Sequence, residues 1–325
     1  MKTVISTDRA AAVELLRKGD VVALPTETVY GLAANALNPI AVARIFEAKE
    51  RPRFDPLIVH LPNRGWLKTI AEFPVGDRQL ILKLSGEFWP GPFTMVLPKG
   101  KPVPDIVTAG LDTVAVRLSA HPVFAEIMSE LDGPLAAPSA NRFGRVSPTT
   151  AQHVFDELQG RVPLIVDAGP TEHGIESTIV AVRRGGIVIL RRGPITEEQL
   201  SQFAPVSSTT ATPKISSPGQ LPSHYMPATP LRLIDNGQDF YPQKNQRVGL
   251  LSWGSALKNS ASSHMEAFAA VRTLSDRADL REAAANLFRY VRELDGLGLD
   301  LIVAERVPLR GLGAAIMDRL ERASH

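Results

Sequence analysis

Three basic side chains cluster in the segment KERPRFDP. Lys49, Arg51 and Arg53 lie close together, and Pro52 and Pro56 restrict the backbone around them. A guanidinium held on a rigid backbone can bind two phosphate oxygens at once. The segment therefore predicts a polyphosphate site. The alternative is a solvated helix C-terminus that attracts cations through its dipole.

A single charge interrupts the apolar strand pattern VAVRL. By strand alternation, Arg117 shares a face with Thr113 and Ala115. A guanidinium in such a position needs a counter-charge or a polar cavity, because desolvating an unpaired charge is costly. We predict that Arg117 lines a cavity and binds a carboxylate there, so that it contributes to the ligand rather than to the core. An edge-strand arginine that faces water is the alternative.

Segments of small polar residues accompany these cations. They are PTETVYGL (25–32), APSAN (137–141), SPTTA (147–151) and HGIESTIV (173–180). The first follows a strand pattern directly, and ligands of α/β proteins usually bind where strands end. Ser147, before Pro148, is typical of a helix N-cap, and helix N-termini bind phosphate through their N–H groups. These residue types suit a polar ligand, although well-satisfied turns would have the same composition.

Several kinds of site are excluded by what the sequence lacks. The chain has no cysteine, which rules out disulfides, thiolate metal sites and cysteine nucleophiles. It has no GxxxxGK[ST] loop, no HExxH and no GxSxG motif. The seven histidines are scattered without metal-ligand spacing. Any site must therefore be built from small polar residues and arginines. His60 lies near the end of the strand pattern LIVHL, where a lone histidine is more often structural than catalytic.

Composition fits a soluble protein of two domains. The 325 residues exceed one typical domain, and 44% hydrophobic residues are enough for packed cores. The 36 basic residues against 34 acidic ones give a net charge of only +2, unlike a dedicated nucleic-acid binder. Residues 1–20 are rich in charge and no long apolar run follows, so we expect no signal peptide, no membrane span and a cytoplasmic location.

Short β-branched runs alternate with helical patterns up to residue 205. This predicts an α/β domain, 1–205, with a twisted mixed sheet around a concave cavity. Predicted strands are 21–25, 57–61, 93–97, 113–118, 164–166, 178–182 and 187–190. Predicted helices are 9–18, 40–49, 77–84, 123–131, 149–159 and 197–203.

A stretch rich in Pro, Ser and Thr, residues 206–229, predicts a linker. His224 and Tyr225 lie in it between prolines, so we expect the segment to close over the first domain as a lid rather than to act only as a spacer. Residues 230–325 predict a small Rossmann-like α/β domain, which lacks the GxGxxG fingerprint of dinucleotide binding. Its predicted strands are 231–235, 248–252 and 299–304, and its predicted helices are 280–294 and 314–322.

The ordered set of motifs resembles the YrdC-like family. The motifs are PTETVYGL, KxRPxxxPLIVH, FTMVLP, VAVRL, APSANxxGxxSPTTA, IESTIV and ILRxG. Further along, AANLFRYVRELD, IVAERVP and GLGAAIMDRLERA resemble the C-terminal domain of its long-form members, the threonylcarbamoyl-AMP synthases. SPGQLPSHYMP is similar to their linker. The resemblance covers about residues 4–323.

The resemblance implies synthesis of L-threonylcarbamoyl-AMP and pyrophosphate from L-threonine, bicarbonate and ATP with Mg²⁺. Downstream partner proteins would transfer the group to the adenosine beside the anticodon of tRNA, with at most a weak direct contact to tRNA. Residues implied around L-threonine are Thr28, His60, Arg117, Ala137 and Ser177. Residues implied around ATP are Arg51, Asp55, Thr113, Ser139, Asn141, Ser147, Arg191 and Tyr225. Lys49 and Arg51 are the implied catalytic cations.

The chain departs from the family pattern in four places. Glu50 stands where glycine is usual, Asp55 where asparagine is usual, and Arg192 where proline is usual. In the linker, QLPS replaces a more basic, aromatic run. A carboxylate at Asp55 would repel a nucleotide unless a metal ion or an arginine offsets it. Two other functions are the alternatives. One is a double-stranded RNA or tRNA-binding module without catalysis. The other is a carbamoyl-transfer enzyme, which would require zinc-binding cysteines that this chain lacks.

Overall fold

The computed structural model describes residues 1–208, 225–254 and 267–324, and these form two compact units. The first unit comprises 1–143, 148–172 and 176–208. The second comprises 144–147, 173–175, 225–254 and 267–324. Residues 209–224, which hold most of the predicted lid and His224, lie outside the described residues, so the lid stays a prediction.

Eleven strands of the described residues form one mixed sheet in the first unit. They are β1 (Val4–Ser6), β2 (Val22–Leu24), β3 (Gly31–Asn35), β4 (Ile58–His60), β5 (Phe93–Pro98), β6 (Thr113–Arg117), β7 (Leu135–Ala136), β8 (Leu164–Val166), β9 (Thr178–Arg183), β10 (Gly186–Arg191) and β11 (Val206–Ser208). Their order is β1-β8-β2-β3-β7-β4-β6-β5-β9-β10-β11. β4 runs parallel to β6, whereas β5 runs antiparallel to it. The predicted mixed α/β architecture is confirmed.

Helices cover this sheet and bury its main core. They are α1 (Arg9–Arg17), α2 (Pro39–Lys49), α3 (Leu67–Ile70), α4 (Arg78–Phe88), α5 (Asp105–Thr108), α6 (Pro122–Leu131), α7 (Ala151–Leu158) and α8 (Glu197–Leu200). The start of α2 follows from its sequence, because the Asn38 side chain accepts hydrogen bonds from two backbone N–H groups and Pro39 occupies the first turn. Val59, Met95 and Val116 point from β4, β5 and β6 into the main core.

The opposite face of these three strands carries a smaller apolar cluster. Ile58, Val96 and Ala115 belong to it, together with residues of β9 and β10. By the two-residue period of a strand, the residues two positions along share this face: His60 on β4, Thr94 on β5 and Arg117 on β6. The sheet therefore places polar side chains next to an apolar patch on the side away from the main core.

The second unit has a parallel sheet of four strands. The strands are β12 (Leu231–Ile234), β13 (Val248–Ser252), β14 (Ala270–Thr273) and β15 (Leu301–Glu305), in the order β12-β15-β13-β14. Two helices are described with it, α9 (Leu280–Asp295) and α10 (Gly313–Ala323). At the carboxyl edge, the Glu305 carboxylate accepts hydrogen bonds from Gly237 N at 2.6 Å, Trp253 N at 2.7 Å and Ser252 Oγ at 2.9 Å.

A loop from the first half of the sequence also belongs to the second unit. Met226 N donates to the Gly144 carbonyl at 2.8 Å, and the Arg292 guanidinium of α9 donates to the carbonyls of Val146 and Ser147. These hydrogen bonds connect the segment 144–147 to residues that come about 80 to 146 positions later in the sequence.

Some elements differ from the sequence-based expectations. β1, β3, β7, β11 and β14 were not predicted, and β11 occupies the start of the predicted linker, paired in parallel with β10. α7 begins at Ala151 rather than at residue 149, because Thr150 is its N-cap and accepts a hydrogen bond from His153 N. The prediction that Ser147 caps this helix is wrong for that reason. Among the described residues, no helix is long and apolar enough to cross a membrane.

Glu50 ends α2 in the left-handed region, with φ of 53°. Glycine adopts this conformation without strain, whereas other residues are disfavoured there. We expect Glu50→Gly to raise the free energy of unfolding by about 0.5–1 kcal/mol in chemical denaturation. Glu50→Ala is the matched control. It also removes the half-exposed ion pair with Arg161 but keeps the strained φ, so it should not stabilise. Equal effects of the two substitutions would refute this account.

Candidate functional site

A row of polar side chains crosses three neighbouring strands of the first sheet. Arg117 on β6 pairs in register with His60 on β4 and with Thr94 on β5. All three residues are buried. Residues so paired lie side by side on one face, so the row forms a continuous polar strip.

Arg117 is fixed by three contacts. Its Nη2 forms an ion pair with Glu27 Oε1 at 2.7 Å, its Nη1 donates to Thr28 Oγ1 at 3.0 Å, and its Nε donates to the Gly91 carbonyl at 3.3 Å. The side chains of Arg117 and Glu27 are each only 4% exposed. The counter-charge expected for a strand arginine is therefore Glu27, within the PTETVYGL segment. The expectation that Arg117 serves only a ligand is wrong, because it also neutralises this buried carboxylate.

Glu27 stays ionised at neutral pH. Burial alone would raise its pKa, but the charge of Arg117 and hydrogen bonds from Ser119 and Arg117 lower the pKa of Glu27 to about 2. Ser119 Oγ donates to Glu27 Oε2, so both carboxylate oxygens have partners.

His60 is a neutral imidazole in this row. Burial, and then the nearby charge of Arg117, lower the pKa of His60 to about 3. Its ring packs against Phe124 of α6, with centroids 4.9 Å apart. Among the described residues, none forms a hydrogen bond with its Nδ1. The backbone of Ala137 lies close enough to the same imidazole to form a hydrogen bond with it.

Ser177 connects this row to a second arginine. Thr94 Oγ1 and Ser177 Oγ are 2.8 Å apart, and Arg191 donates to Ser177 Oγ and to its carbonyl, both at 3.1 Å. The residues predicted around threonine therefore form one connected group, which reaches a residue predicted for ATP at Arg191.

Lys49 forms the second part of the site together with the APSAN loop. It is the last residue of α2 and is buried, and its Nζ donates to the Ser139 carbonyl at 2.5 Å and to the Asn141 carbonyl. Burial, and then the charge of Arg51, lower the pKa of Lys49 well below its usual range. Lys49, Ser139 and Asn141 are thus brought together as predicted for a polyphosphate site.

Arg51 and Asp55 form a buried ion pair, with Nη2 and Oδ2 at 2.8 Å. Arg51 also donates to the Asp55 carbonyl at 3.2 Å and to the Pro56 carbonyl at 2.9 Å. Burial raises the pKa of Asp55, while the charges of Arg51, Lys49 and Arg191 act against this rise. The arginine that could offset the unusual carboxylate at position 55 is therefore present.

The structure also describes the other three predicted residues. Thr113 begins β6, half-buried, on the same face as Arg117. Ser147 is buried in the second unit, where its carbonyl accepts from Arg292. Tyr225 is also buried in that unit, with the Phe288 ring at 5.4 Å and the Arg319 guanidinium at 5.3 Å from its own ring. Their predicted contacts with ATP stay predictions.

Glu27, Ser119 and Thr94 are site residues that sequence reasoning did not single out. A buried arginine requires a carboxylate nearby, but the sequence holds 34 acidic residues and gives no rule for choosing among them. Strand alternation could have found Thr94, because it is the polar residue in the apolar run FTMVL.

The fold and these contacts define a class of protein: an α/β protein with a buried, charge-paired polar row on a sheet face beside a cluster of basic side chains. Residues 14–193 match the family described as telomere recombination (Sua5, YciO and YrdC), and residues 195–325 match the threonylcarbamoyl-AMP synthase C-terminal domain. The chain belongs to this family, in the long form that carries both domains.

Individual relatives cover nearly the whole chain. The threonylcarbamoyl-AMP synthase of Pyrococcus abyssi is 37% identical, over 96% of this chain and 93% of its own length. That of Bacillus subtilis is 39% identical, over 97% of this chain and 92% of its own. The crystal structure of P. abyssi Sua5 complexed with L-threonine has a TM-score of 0.86 at 35% identity, covering 100% of this chain and 98% of that one.

Removal of Arg117 should destabilise the first unit strongly. Arg117→Ala leaves the Glu27 carboxylate buried without its counter-ion, so we expect the free energy of unfolding to fall by about 3–5 kcal/mol in chemical denaturation. The double variant Arg117→Ala/Glu27→Ala should recover part of this loss. Arg9→Ala, which breaks the half-exposed pair with Glu126, is the control and should cost less than about 1 kcal/mol. A loss from Arg117→Ala no larger than that of the control would contradict a structural role for the pair.

The buried neutral imidazole of His60 predicts a pH dependence of stability. Its folded-state pKa of about 3 lies below the ordinary 6.5, so between these pH values the unfolded chain binds a proton that the folded protein does not bind. The free energy of unfolding therefore rises with pH between about 3 and 6.5, by at most about 1.4 kcal/mol per pH unit for one group. Glu27 changes the stability only below about pH 4.5. Its depressed pKa stabilises the folded state fully above that pH, and this stabilisation is lost as the pH falls through about 2.

The measurement is the free energy of unfolding of His60→Asn and of the wild type between pH 4.5 and 9. Between pH 4.5 and 6.5 the variant should show the smaller slope, whereas above pH 7.5 the two curves should run parallel. Identical slopes below pH 6.5 would show that His60 titrates normally in the folded protein.

Proposed function

We propose that this protein is a threonylcarbamoyl-AMP synthase, which forms L-threonylcarbamoyl-AMP and pyrophosphate from L-threonine, bicarbonate and ATP. The observation that carries the proposal is the joining of two chemically different halves in one site. A charge-paired pocket at Glu27 and Arg117 suits an amino acid, and the Lys49, Arg51 and Arg191 cluster suits a triphosphate. The long-form relatives carry the same name over the full chain.

Threonine would bind along the polar row. Arg117 has five N–H donors, of which the contacts described use three, so two are left for the substrate carboxylate. The Thr28 and Ser177 hydroxyls and the neutral His60 ring offer partners for the amine and the hydroxyl of the substrate. Ala137 leaves room for its methyl group.

ATP would bind at the cation cluster, where Lys49, Arg51 and Arg191 would contact the phosphates. Ser139 and Asn141 would contact the polyphosphate from the APSAN loop, and Thr113, Ser147 and Tyr225 are the further proposed contacts. These cations would hold the triphosphate and neutralise the charge that develops on pyrophosphate as it leaves.

Mg²⁺ would accompany ATP. It would neutralise phosphate oxygens and align them, as it commonly does in nucleotide enzymes. Asp55 fits such an ion, because neither of its buried carboxylate oxygens accepts a hydrogen bond from the described residues and its only described partner is the Arg51 ion pair. No cluster of three or more His, Asp or Glu side chains occurs among the described residues, so the phosphates themselves would supply most ligands.

The reaction requires no protein nucleophile. The threonine ammonium group first loses one proton to solvent, and the free amine then attacks the carbon of bicarbonate. The proton that the nitrogen loses next leaves with the bicarbonate hydroxyl as water, which gives the carbamate. A carbamate oxygen then attacks the α-phosphorus in line, and the bond to the β-phosphate oxygen breaks to release pyrophosphate. The residues of the site would act by positioning the reactants and balancing charge.

The product would be handed to proteins that transfer the threonylcarbamoyl group to tRNA. We expect the chain to contact tRNA weakly, if it does so directly, because its net charge is close to zero. We expect the protein to act in the cytoplasm, where this role places it.

The test is pyrophosphate release by the full chain. Release should require ATP, bicarbonate and L-threonine together, with serine a poor substitute, since only threonine carries the methyl group. Arg51→Ala should reduce the rate by about 100-fold or more, because it removes a charge that balances the transition state. Lys101→Ala, an exposed cation elsewhere in the first unit, is the matched control and should keep the wild-type rate.

Equal turnover without any amino acid would overturn the assignment. Tight binding of an RNA duplex without any pyrophosphate release would instead favour the non-catalytic RNA-binding alternative.

A further inference from the structure

We propose that Glu27 makes the amino-acid pocket select a zwitterion. It balances the charge of Arg117, so that the pocket accepts a ligand with one ammonium and one carboxylate group and rejects ligands that carry only one of them. The inference rests on the proposed function, because it concerns the ligand of the same pocket.

The geometry makes Glu27 and Arg117 one electrically neutral unit. Their charged atoms are 2.7 Å apart, and both side chains are almost fully buried. Ser119 Oγ holds the second oxygen of Glu27, so the carboxylate cannot rotate away without losing a hydrogen bond. Thr28 and the Gly91 carbonyl hold the guanidinium from the other sides. Glu27 is thus a positioning residue that acts on the ligand through Arg117.

No other charge adjoins this pair among the described groups of the pocket. His60 is neutral at physiological pH, since burial and Arg117 hold the pKa of its imidazole far below 7. His121, which interacts with Glu27, has its pKa lowered by burial and is neutral as well. Thr28, Ser119 and the other hydroxyl groups carry no charge. The pocket therefore has a net charge of zero.

The nucleotide half of the site has a different balance. There Lys49, Arg51 and Arg191 lie together with the carboxylate of Asp55, whose pKa is raised by burial, and the charge of Glu157 also acts on Lys49. Positive charge suits a triphosphate. The same excess on the amino-acid side would attract any small anion, and Glu27 removes it.

A neutral, water-poor pocket discriminates by charge. An α-hydroxy acid would bring a carboxylate without an ammonium group, leaving two carboxylates against one guanidinium. An amino-acid amide would bring an ammonium group without a carboxylate, next to the unmatched Arg117 donors. Each leaves an uncompensated charge in a site of low dielectric, where charge interactions are far stronger than in water.

The experiment begins with the wild-type full chain and three ligands in isothermal titration calorimetry. They are L-threonine, L-threoninamide and the deaminated analogue 2,3-dihydroxybutanoate of the same configuration. Both analogues should bind about tenfold or more weaker than threonine, because each lacks one of the two matched charges. A preference below about threefold for threonine over the anion would overturn the proposal, whatever the variants do.

Glu27→Gln is the informative variant, because it keeps the size and an acceptor oxygen and removes the charge. We expect its preference for threonine over 2,3-dihydroxybutanoate to fall by about tenfold or more, since the pocket becomes cationic. Ser119→Ala should weaken all three ligands while keeping their ratios, because it disturbs the position of Glu27 but not its charge. Glu126→Gln makes the same chemical change at a half-exposed pair and should leave every affinity unchanged.

A purely structural role would lower all affinities together, so the ratio separates the two explanations. A folded Glu27→Gln protein with an unchanged ratio would overturn this inference and leave the proposed function intact. Absence of threonine binding and of pyrophosphate release in the wild type would overturn the proposed function and the inference together. Should Glu27→Gln fail to fold, as judged by circular dichroism, the wild-type ligand series decides.

Discussion

A guanidinium buried inside a β-strand is the constraint on which the site depends. Arg117 cannot stay charged away from water unless a carboxylate meets it, and Glu27 does so from the loop after β2. The neighbouring strands must then present polar groups on the same face, as His60 and Thr94 do. Val59, Met95 and Val116, which alternate with these polar residues, face the main core instead, so the sheet separates the main core from the face that carries the polar row.

Two hydroxyl groups link the two halves of the site. Thr94 and Ser177 connect the Arg117 row to Arg191. The buried pair of Arg117 and Glu27 is therefore joined to Arg191 through neutral side chains.

Sequence patterns predicted the elements whose own residues determine them. β4, β5, β6 and β9 are rich in β-branched or large apolar residues and were found, whereas β3, GLAAN, has little strand propensity and forms because both of its neighbours pair with it. The position of Arg117 was predicted for the same local reason. Its partner Glu27 was not, since a contact between residues far apart in the chain leaves no local signal.

The interleaving of the two units bears on how the chain folds during synthesis. Arg292 donates to the Val146 carbonyl across 146 positions of sequence. Domains form as their residues leave the ribosome, the N-terminal ones first. The loop 144–147 leaves the ribosome early, but these hydrogen bonds cannot form until α9 has been synthesised. The polypeptide therefore carries an unfinished loop in its first half until translation is almost complete.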